Sequence, residues 1–401
     1  TILTSVLDSS GKKGPAILKG HNYFVGHFSE CNDLDYEVQG RDRHFRGQYF
    51  RVDIDPFFRP NSRDGSCVIS AQNMTAEVFW EVGLCLPASC SSAELMELVR
   101  PETGASIDNP VCRIARPGDL TPEIDAGFYI TLSIMGAIVA VCIVSGFIDF
   151  YFSEKLKKMT FSKSLGWQIF MSFSLYTNIA SIFDLSEANK TGQIGPLHCI
   201  RFFSMVWVLL SHLVTNSLSI LANSLDIVAL APDLTSEVFF NGYFSVDSFF
   251  FMSGVLLTFL WFKMFARAPK QVMSARSWVM YYVHRVLRLS PPFYFMVLFT
   301  TFVIKQIYKY TPFSMNPTAT TDYCRETWWL DMLYIHNWVD HKEWCTGHTW
   351  YLASEMQMFL FTPLIIIPLA LKPILGLIVA AGFLAISTGI NIFLVYYYHW
   401  P

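Results

Sequence analysis

The sequence predicts an α-helical multi-pass membrane protein, with at least six spans, behind a disulfide-stapled lumenal or extracellular N-terminal domain. Three observations carry that expectation. The 401 residues are 52% hydrophobic and only 15% charged, mean hydropathy is +0.35, and the apolar residues fall in runs long enough to cross a bilayer. Five of the nine cysteines, Cys31, Cys67, Cys85, Cys90 and Cys112, precede the first long run. Basic clusters mark the ends of alternate runs, as cytosolic flanks do. The formal net charge of −3 points to neither a nucleic-acid partner nor a polybasic surface.

The chain opens without Met on the polar TILTSVLDSSGKKG, which reads as a processed or trimmed start. Residues 1–122 form the polar domain, in which short apolar runs are broken by Gly, Pro, Asn and Asp. Cysteine-rich polar sequence joined to spans indicates an oxidising face. Five cysteines are an odd number, so one lacks a partner within that region. Ser91 or Ser92 caps a helix over 94–99. Asn73-Met-Thr is a glycosylation sequon, in keeping with a lumenal surface.

Residues 123–401 form the membrane domain. Residues 126–150 are the first span, and EKLKKMTFSK after it is a cytosolic flank. Residues 165–183 are apolar but carry Gln168, Thr177 and Asn178. Were they to cross, the basic loop 263–288 would lie outside and Cys324 and Cys345 in the reducing cytosol. They therefore read as an interfacial helix on the cytosolic side, which leaves the Asn189-Lys-Thr sequon unglycosylated. Spans follow at 198–220, 239–262, 290–307, 350–371 and 374–397, with Lys372-Pro373 as a tight turn. The loop 308–348 is lumenal, so Cys324 and Cys345 are the favoured disulfide pair; the pairing of the other five is open.

Polar residues inside spans are costly and face a cavity or a partner. Arg201 and His212 lie eleven residues apart in HCIRFFSMVWVLLSHL, about three helical turns, hence on one stripe. His212, Asp247 and Glu355 fall within roughly one or two turns of a common level in the lumenal half. A histidine with carboxylates at one depth suits a general base and its orienting partner, or equally a proton or ion pathway. Arg285 and Arg288 share a helical face, with His284 beside Arg288, at the cytosolic surface. Two fixed guanidiniums suit a phosphate or pyrophosphate, and Arg201 can join them; the positive-inside rule alone accounts for them as well. Something with a phosphorylated cytosolic end and a reactive tip could reach between the two groups.

Other polar residues carry less. His336, His341 and His348, near Asp340 and Glu343, match no metal-ligand spacing and read as solvated, so no metal site is expected. Tryptophans 328, 329, 338, 344 and 350 read as interfacial anchors. Gly254 reads as a close-packing position. There is no Gly-rich phosphate loop and no serine nucleophile elbow.

Several ordered stretches resemble the acyltransferase-3 superfamily, and within it the animal branch of nose-resistant-to-fluoxetine proteins. LDSSGKKG, GHFSEC and CLPASCSS resemble the N-terminal domain of that branch. FSLYTN, LHCIRFFSMVWVLLSH, FFNGYFSVDSFFFMSG, VHRVLRLSPP and CTGHTWYLASEMQMF resemble its membrane domain. The resemblance implies that His212 is the essential intramembrane histidine. It makes Arg285 and Arg288 the arginine pair associated with the acyl donor, and Asp247 and Glu355 the acidic positions. The implied chemistry is acyl transfer from cytosolic acyl-coenzyme A to a hydroxyl or amine acceptor, with no prosthetic group. The acceptor, a lipid, small molecule or protein, is reached from the lumen of the endoplasmic reticulum or other endomembranes, or at the plasma membrane. Cys199 stands where relatives have Gly. Phe50 stands where relatives have Cys, which leaves the partner of Cys31 open. Relatives continue through further spans, so the chain is expected to be C-terminally incomplete.

The alternative is a lipid or small-molecule transporter, or a sensor, that keeps this fold without catalysis. A third reading makes the N-terminal domain a ligand-binding or docking module that gates the membrane part.

Overall fold

The computed structural model describes residues 2–37, 44–54, 80–99, 111–119, 121, 123–156, 160–184, 194–218, 221–230, 232–309, 323–339 and 345–399. Cys67, Asn73, Asn189, His341 and the side chain of Cys112 lie outside the described residues. The chain divides into two compact units. One comprises Thr1–Gly127, Met205–Tyr243 and Val303–Thr321; the other comprises Phe128–Ser204, Phe244–Phe302 and Asp322–Pro401.

In the first unit the N-terminal residues build a small sheet on β3 (His44–Ile54). Its neighbours are β1 (Tyr23–Phe24), β2 (Asp35–Glu37), β4 (Trp80–Pro87) and β5 (Val111–Ala115). The order is β1-β4-β3-β2, with β5 also on β3. Side chains alternate across a strand, and β3 uses both faces. Phe50 and Val52 pack with Val111, Ile114, Leu95 and Met96 on one side. Tyr49 joins Cys31, Leu34 and Cys85 on the other. On that second face lies a balanced set of charges, with Arg51 and Asp53 buried and Glu81 and Arg113 half-buried. Arg51 donates to Asp53 at 2.7 Å and meets Glu81 at 2.6 Å, while Arg113 donates to Asp53 at 2.9 Å. Burial pushes the Glu81 carboxyl up, against the pull of Arg51.

Cys31 bonds to Cys85 across 54 residues, a loop closure that costs the unfolded chain about 4 kcal/mol on an entropic account. The partner of Cys31 is therefore settled. Phe50 fills the core, with Cys90 packed against the same cluster. Cys90 itself is a free thiol, which corrects its place among the disulfide candidates: Cys85, the near neighbour, is already taken. Ser91 is the helix cap. Its hydroxyl accepts from the Glu94 amide at 3.2 Å and its amide donates to the Glu94 carboxylate at 2.8 Å, a reciprocal capping box.

Among the described residues, six helices are long and apolar enough to cross a membrane: 126–152, 195–217, 243–267, 275–307, 347–371 and 373–398. The N-terminal domain, the end of the second span, the start of the third and the end of the fourth belong to the first unit.

Three boundaries differ from expectation. Residues 165–183 are not one helix but two, Leu165–Met171 and Leu175–Ile182, capped by Ser164 and Ser174. Ser174 also donates to Asp149, near the end of the first span, at 2.6 Å, and Thr177 donates to the same carboxylate oxygen. Neither helix approaches the ~20 residues a crossing needs.

The third span extends to Arg267, and the fourth starts at Ala275, not 290. The expected loop 263–288 shrinks to a turn because long basic side chains ride on helix ends. Pro291 and Pro292 sit inside the fourth helix, which passes through a π-turn at Phe299–Val303 before Ile304–Ile307. Proline is tolerated in spans, where neighbours satisfy the freed backbone groups.

Third, the loop after the fourth span contains a helix, Tyr323–Met332. Cys324 and Cys345 form the expected disulfide. Lys372 alone separates the fifth and sixth spans. A Cβ on Gly376 would lie 2.4 Å from the Leu369 Cα, so this hairpin requires glycine. Gly254 instead faces open space, with nothing within 4 Å of an added Cβ; it is not a close-packing position.

Candidate functional site

The site grows from three helices of the second unit. The fourth and fifth spans run antiparallel. Tyr281 stacks on Phe359 at 4.1 Å and 7°, and the Tyr282 hydroxyl donates to the Leu360 carbonyl at 3.3 Å. Further along, Arg285 forms an ion pair with Glu355. The third span runs parallel to the fifth: Phe250 packs on Tyr351 at 4.7 Å, and the Ser253 hydroxyl donates to Glu355 Oε1 at 2.9 Å. Glu355 is therefore the point where the three spans are joined by polar contacts.

The pair lies well inside both helices. Arg285 lies ten residues after Ala275 and Glu355 eight after Gly347. At 1.5 Å per residue that is about 15 Å and 12 Å from the two helix starts. Arg285 was expected at the cytosolic surface and Glu355 toward the lumen beside His212. The structure brings the two side chains into contact, and the fourth helix begins fifteen residues before its expected start.

The side chains are 20% and 14% exposed. The Arg285 guanidinium lies 4.9 Å over the Phe359 ring, a cation–π arrangement. Its Nη2 is within ion-pair reach of Glu355 but off the hydrogen-bonding angle. Among the described residues, neither Nε nor Nη2 of Arg285 has a hydrogen-bond partner. Tyr351 lies within electrostatic reach of Glu355, Arg285 and Arg201, which brings the third arginine to the same neighbourhood.

The remaining sequence candidates stand differently. Arg288 and His284 are exposed on the fourth span. Asp247 is exposed, four residues after the helix start at Tyr243 and six before Ser253, so about 9 Å along the axis from the level of Glu355. His212 belongs to the first unit and is exposed, five residues before the end of its helix at Ser217. Beside it, Trp207 and Ser211 donate to the carbonyls of Val238 and Phe239. These bonds lay the short helix Glu237–Phe240 along the second span. A Cβ on Gly242 would lie 2.1 Å from Ser211 Oγ, so that approach leaves no room for a side chain.

Ser253, Tyr351 and Phe359 escaped the sequence reading. A signal existed for two of them: Tyr351, Glu355 and Phe359 are spaced i, i+4, i+8, one face of a helix. Ser253 had no periodic mark.

A second polar cluster sits at the head of the fifth span. His336 is 1% and Asp331 0% exposed, so His336 is not the solvated loop residue its sequence context suggested. The Thr349 hydroxyl donates to Asp331 at 2.9 Å and lies 3.1 Å from His336 Nε2. Burial holds the His336 imidazole below its usual pKa, against the pull of Asp331. Burial likewise pushes the Asp331 carboxyl up, against His336. No group of three metal-ligating side chains occurs among the described residues.

Comparison with known proteins agrees with this architecture. An acyltransferase domain matches residues 195–401, and the N-terminal domain of nose resistant-to-fluoxetine protein matches residues 2–99. The chain is 27% identical over 445 aligned residues to nose resistant to fluoxetine protein 6 of Caenorhabditis elegans, covering 99% of this chain and 53% of that relative. The chain thus spans about half the length of the curated relative it matches. No solved structure matches. With six helices able to cross a membrane, a disulfide-bonded sheet domain before them and both domain matches in order, the chain belongs to the acyltransferase-3 family and carries the N-terminal domain of the nose-resistant-to-fluoxetine proteins.

Proposed function

We propose that the protein transfers an acyl group from acyl-coenzyme A to a hydroxyl or amine acceptor. The observation that carries this reading is the Arg285–Glu355 pair within the spans of an acyltransferase-family domain. A buried guanidinium with unused donors suits the phosphates of a coenzyme A thioester. Arg288 and Arg201 add positive charge for the rest of the anion.

In the proposed reaction His212 takes the proton from the acceptor. The acceptor oxygen or nitrogen then bonds to the thioester carbonyl carbon, the carbon–sulfur bond breaks, and the coenzyme A thiolate leaves to be protonated. His212 has no hydrogen-bond partner among the described residues, which leaves its basic nitrogen uncommitted. Asp247 is the proposed carboxylate of the acid–base chemistry. We assign the donor side to the cytosol and the N-terminal domain and acceptor to the lumen or exterior, in endomembranes or the plasma membrane.

Mass spectrometry of gently purified protein tests the donor. A coenzyme A thioester should accompany the wild type and be absent from an Arg285→Ala/Arg288→Ala variant. His212→Ala should keep the thioester and lose transfer. Movement of a lipid or small molecule without consumption of thioester would replace this reading with a transporter.

A further inference from the structure

We propose that Ser253 and Glu355 are positioning residues for Arg285: they hold its guanidinium ready for the donor's phosphates, and Glu355 serves the arginine rather than His212. This inference rests on the acyl-coenzyme A reading above and deepens it.

An arginine on a membrane-spanning helix needs a counter-charge, since a lone cation there is disfavoured. Glu355 supplies one. The carboxylate is in turn fixed from the third span, because Ser253 donates to Oε1, the same oxygen that faces Arg285 Nη2. The flat face of the guanidinium is set by Phe359, whose ring is held in place by Tyr281. Carboxylate on one edge and ring on one face together define the plane of the group.

That arrangement leaves capacity. A guanidinium has five N–H donors, and one carboxylate oxygen cannot occupy them. The buried Nε–H has no partner among the described residues. Buried unpaired donors are unfavourable, and a phosphate oxygen arriving there would remove that penalty. Arrival also sets the phosphate against Glu355 for the same cation. The carboxylate then needs another donor, and Ser253 is already bonded to it. The serine thus keeps Glu355 satisfied in both states, so that Arg285 can turn to the donor without leaving a bare buried carboxylate.

The test is coenzyme A binding to the purified full chain, by calorimetry, with inorganic pyrophosphate as competitor and thermal unfolding as a control. Ser253→Ala should weaken coenzyme A binding about tenfold, the loss of roughly one charge-assisted hydrogen bond, and shift the pyrophosphate inhibition constant by the same factor. Ser253→Thr, which keeps the hydroxyl, should restore both to within about twofold of wild type. Glu355→Gln should also change coenzyme A affinity at least about fivefold. If wild type binds, Arg285→Ala abolishes binding, and Ser253→Ala and Glu355→Gln bind as wild type does, the positioning role is wrong while the donor reading stands. If wild type binds no coenzyme A, or Arg285→Ala binds as well as wild type, the donor reading falls and this inference with it. A Ser253→Ala variant that unfolds early, with Ser253→Thr stable but weak in binding, would overturn the assignment too, because the hydroxyl alone would then not suffice.

Discussion

The guanidinium of Arg285 on the fourth span meets the carboxylate of Glu355 on the fifth. Each neutralises a charge the bilayer would otherwise oppose. Removing one partner strands the other. Arg285→Met or Glu355→Leu alone should lower stability by about 2–4 kcal/mol, somewhat less than for fully buried pairs. The Arg285→Met/Glu355→Leu double variant should recover most of that loss. Thermal unfolding of the four proteins in one detergent closes the cycle; additive losses would mean that the pair does not couple.

The Cys31–Cys85 bond staples a small domain with a modest core. Cys31→Ala or Cys85→Ala should cost about 2–5 kcal/mol and reduce maturation of the chain. Cys90→Ser should leave both unchanged, because Cys90 carries no disulfide. Yield and thermal midpoint decide, and equal damage from all three variants would contradict the assignment.

Asp149 accepts from Ser174 and Thr177, and this carboxylate fastens the 165–182 segment to the first span. A Ser174→Ala/Thr177→Val variant leaves it without either hydroxyl donor, at a cost of about 1–3 kcal/mol. Limited proteolysis within residues 160–184 should speed up several-fold, whereas Asp149→Asn, which removes the charge itself, should do less harm.

The buried His336 gives the 323–349 loop a pH dependence with a definite sign. Its folded pKa lies below the ordinary 6.5. As pH falls through 6.5, the unfolded loop takes up a proton that the folded one refuses, and stability declines. Asp331, raised above its ordinary 3.8, acts oppositely, since in its window the folded state binds the extra proton. Near pH 6 the histidine should dominate. The rate at which a phosphine reduces Cys324–Cys345 should therefore rise from pH 7 to pH 6 in wild type relative to His336→Gln. Parallel profiles would remove the histidine as the cause.

Much of the architecture is written locally. Long apolar runs, basic flanks and the placement of cysteines are sufficient for six spans, a stapled N-terminal domain and the Cys324–Cys345 pair, because each depends on composition over a short stretch. The capping box at Ser91 and Glu94 is local as well. Arg285 and Glu355 were recognisable as residues too costly to place in a membrane without a purpose.

What only the tertiary structure decided is which of them meet. Span boundaries near basic residues are ambiguous, since lysine and arginine ride on helix ends. The fourth helix starts at Ala275, fifteen residues before its expected start, so Arg285 lies on the helix and not in a loop before it. The contacts of Glu355 with Ser253 and Arg285 join residues 102 and 70 positions apart, and the burial of His336 needs Asp331 and Thr349 around it. The partner of Cys31 likewise waited on the register that sets Tyr49 opposite Cys85. Apolar periodicity tells a helix which face to bury; it does not say which polar group on another helix will arrive at the same depth.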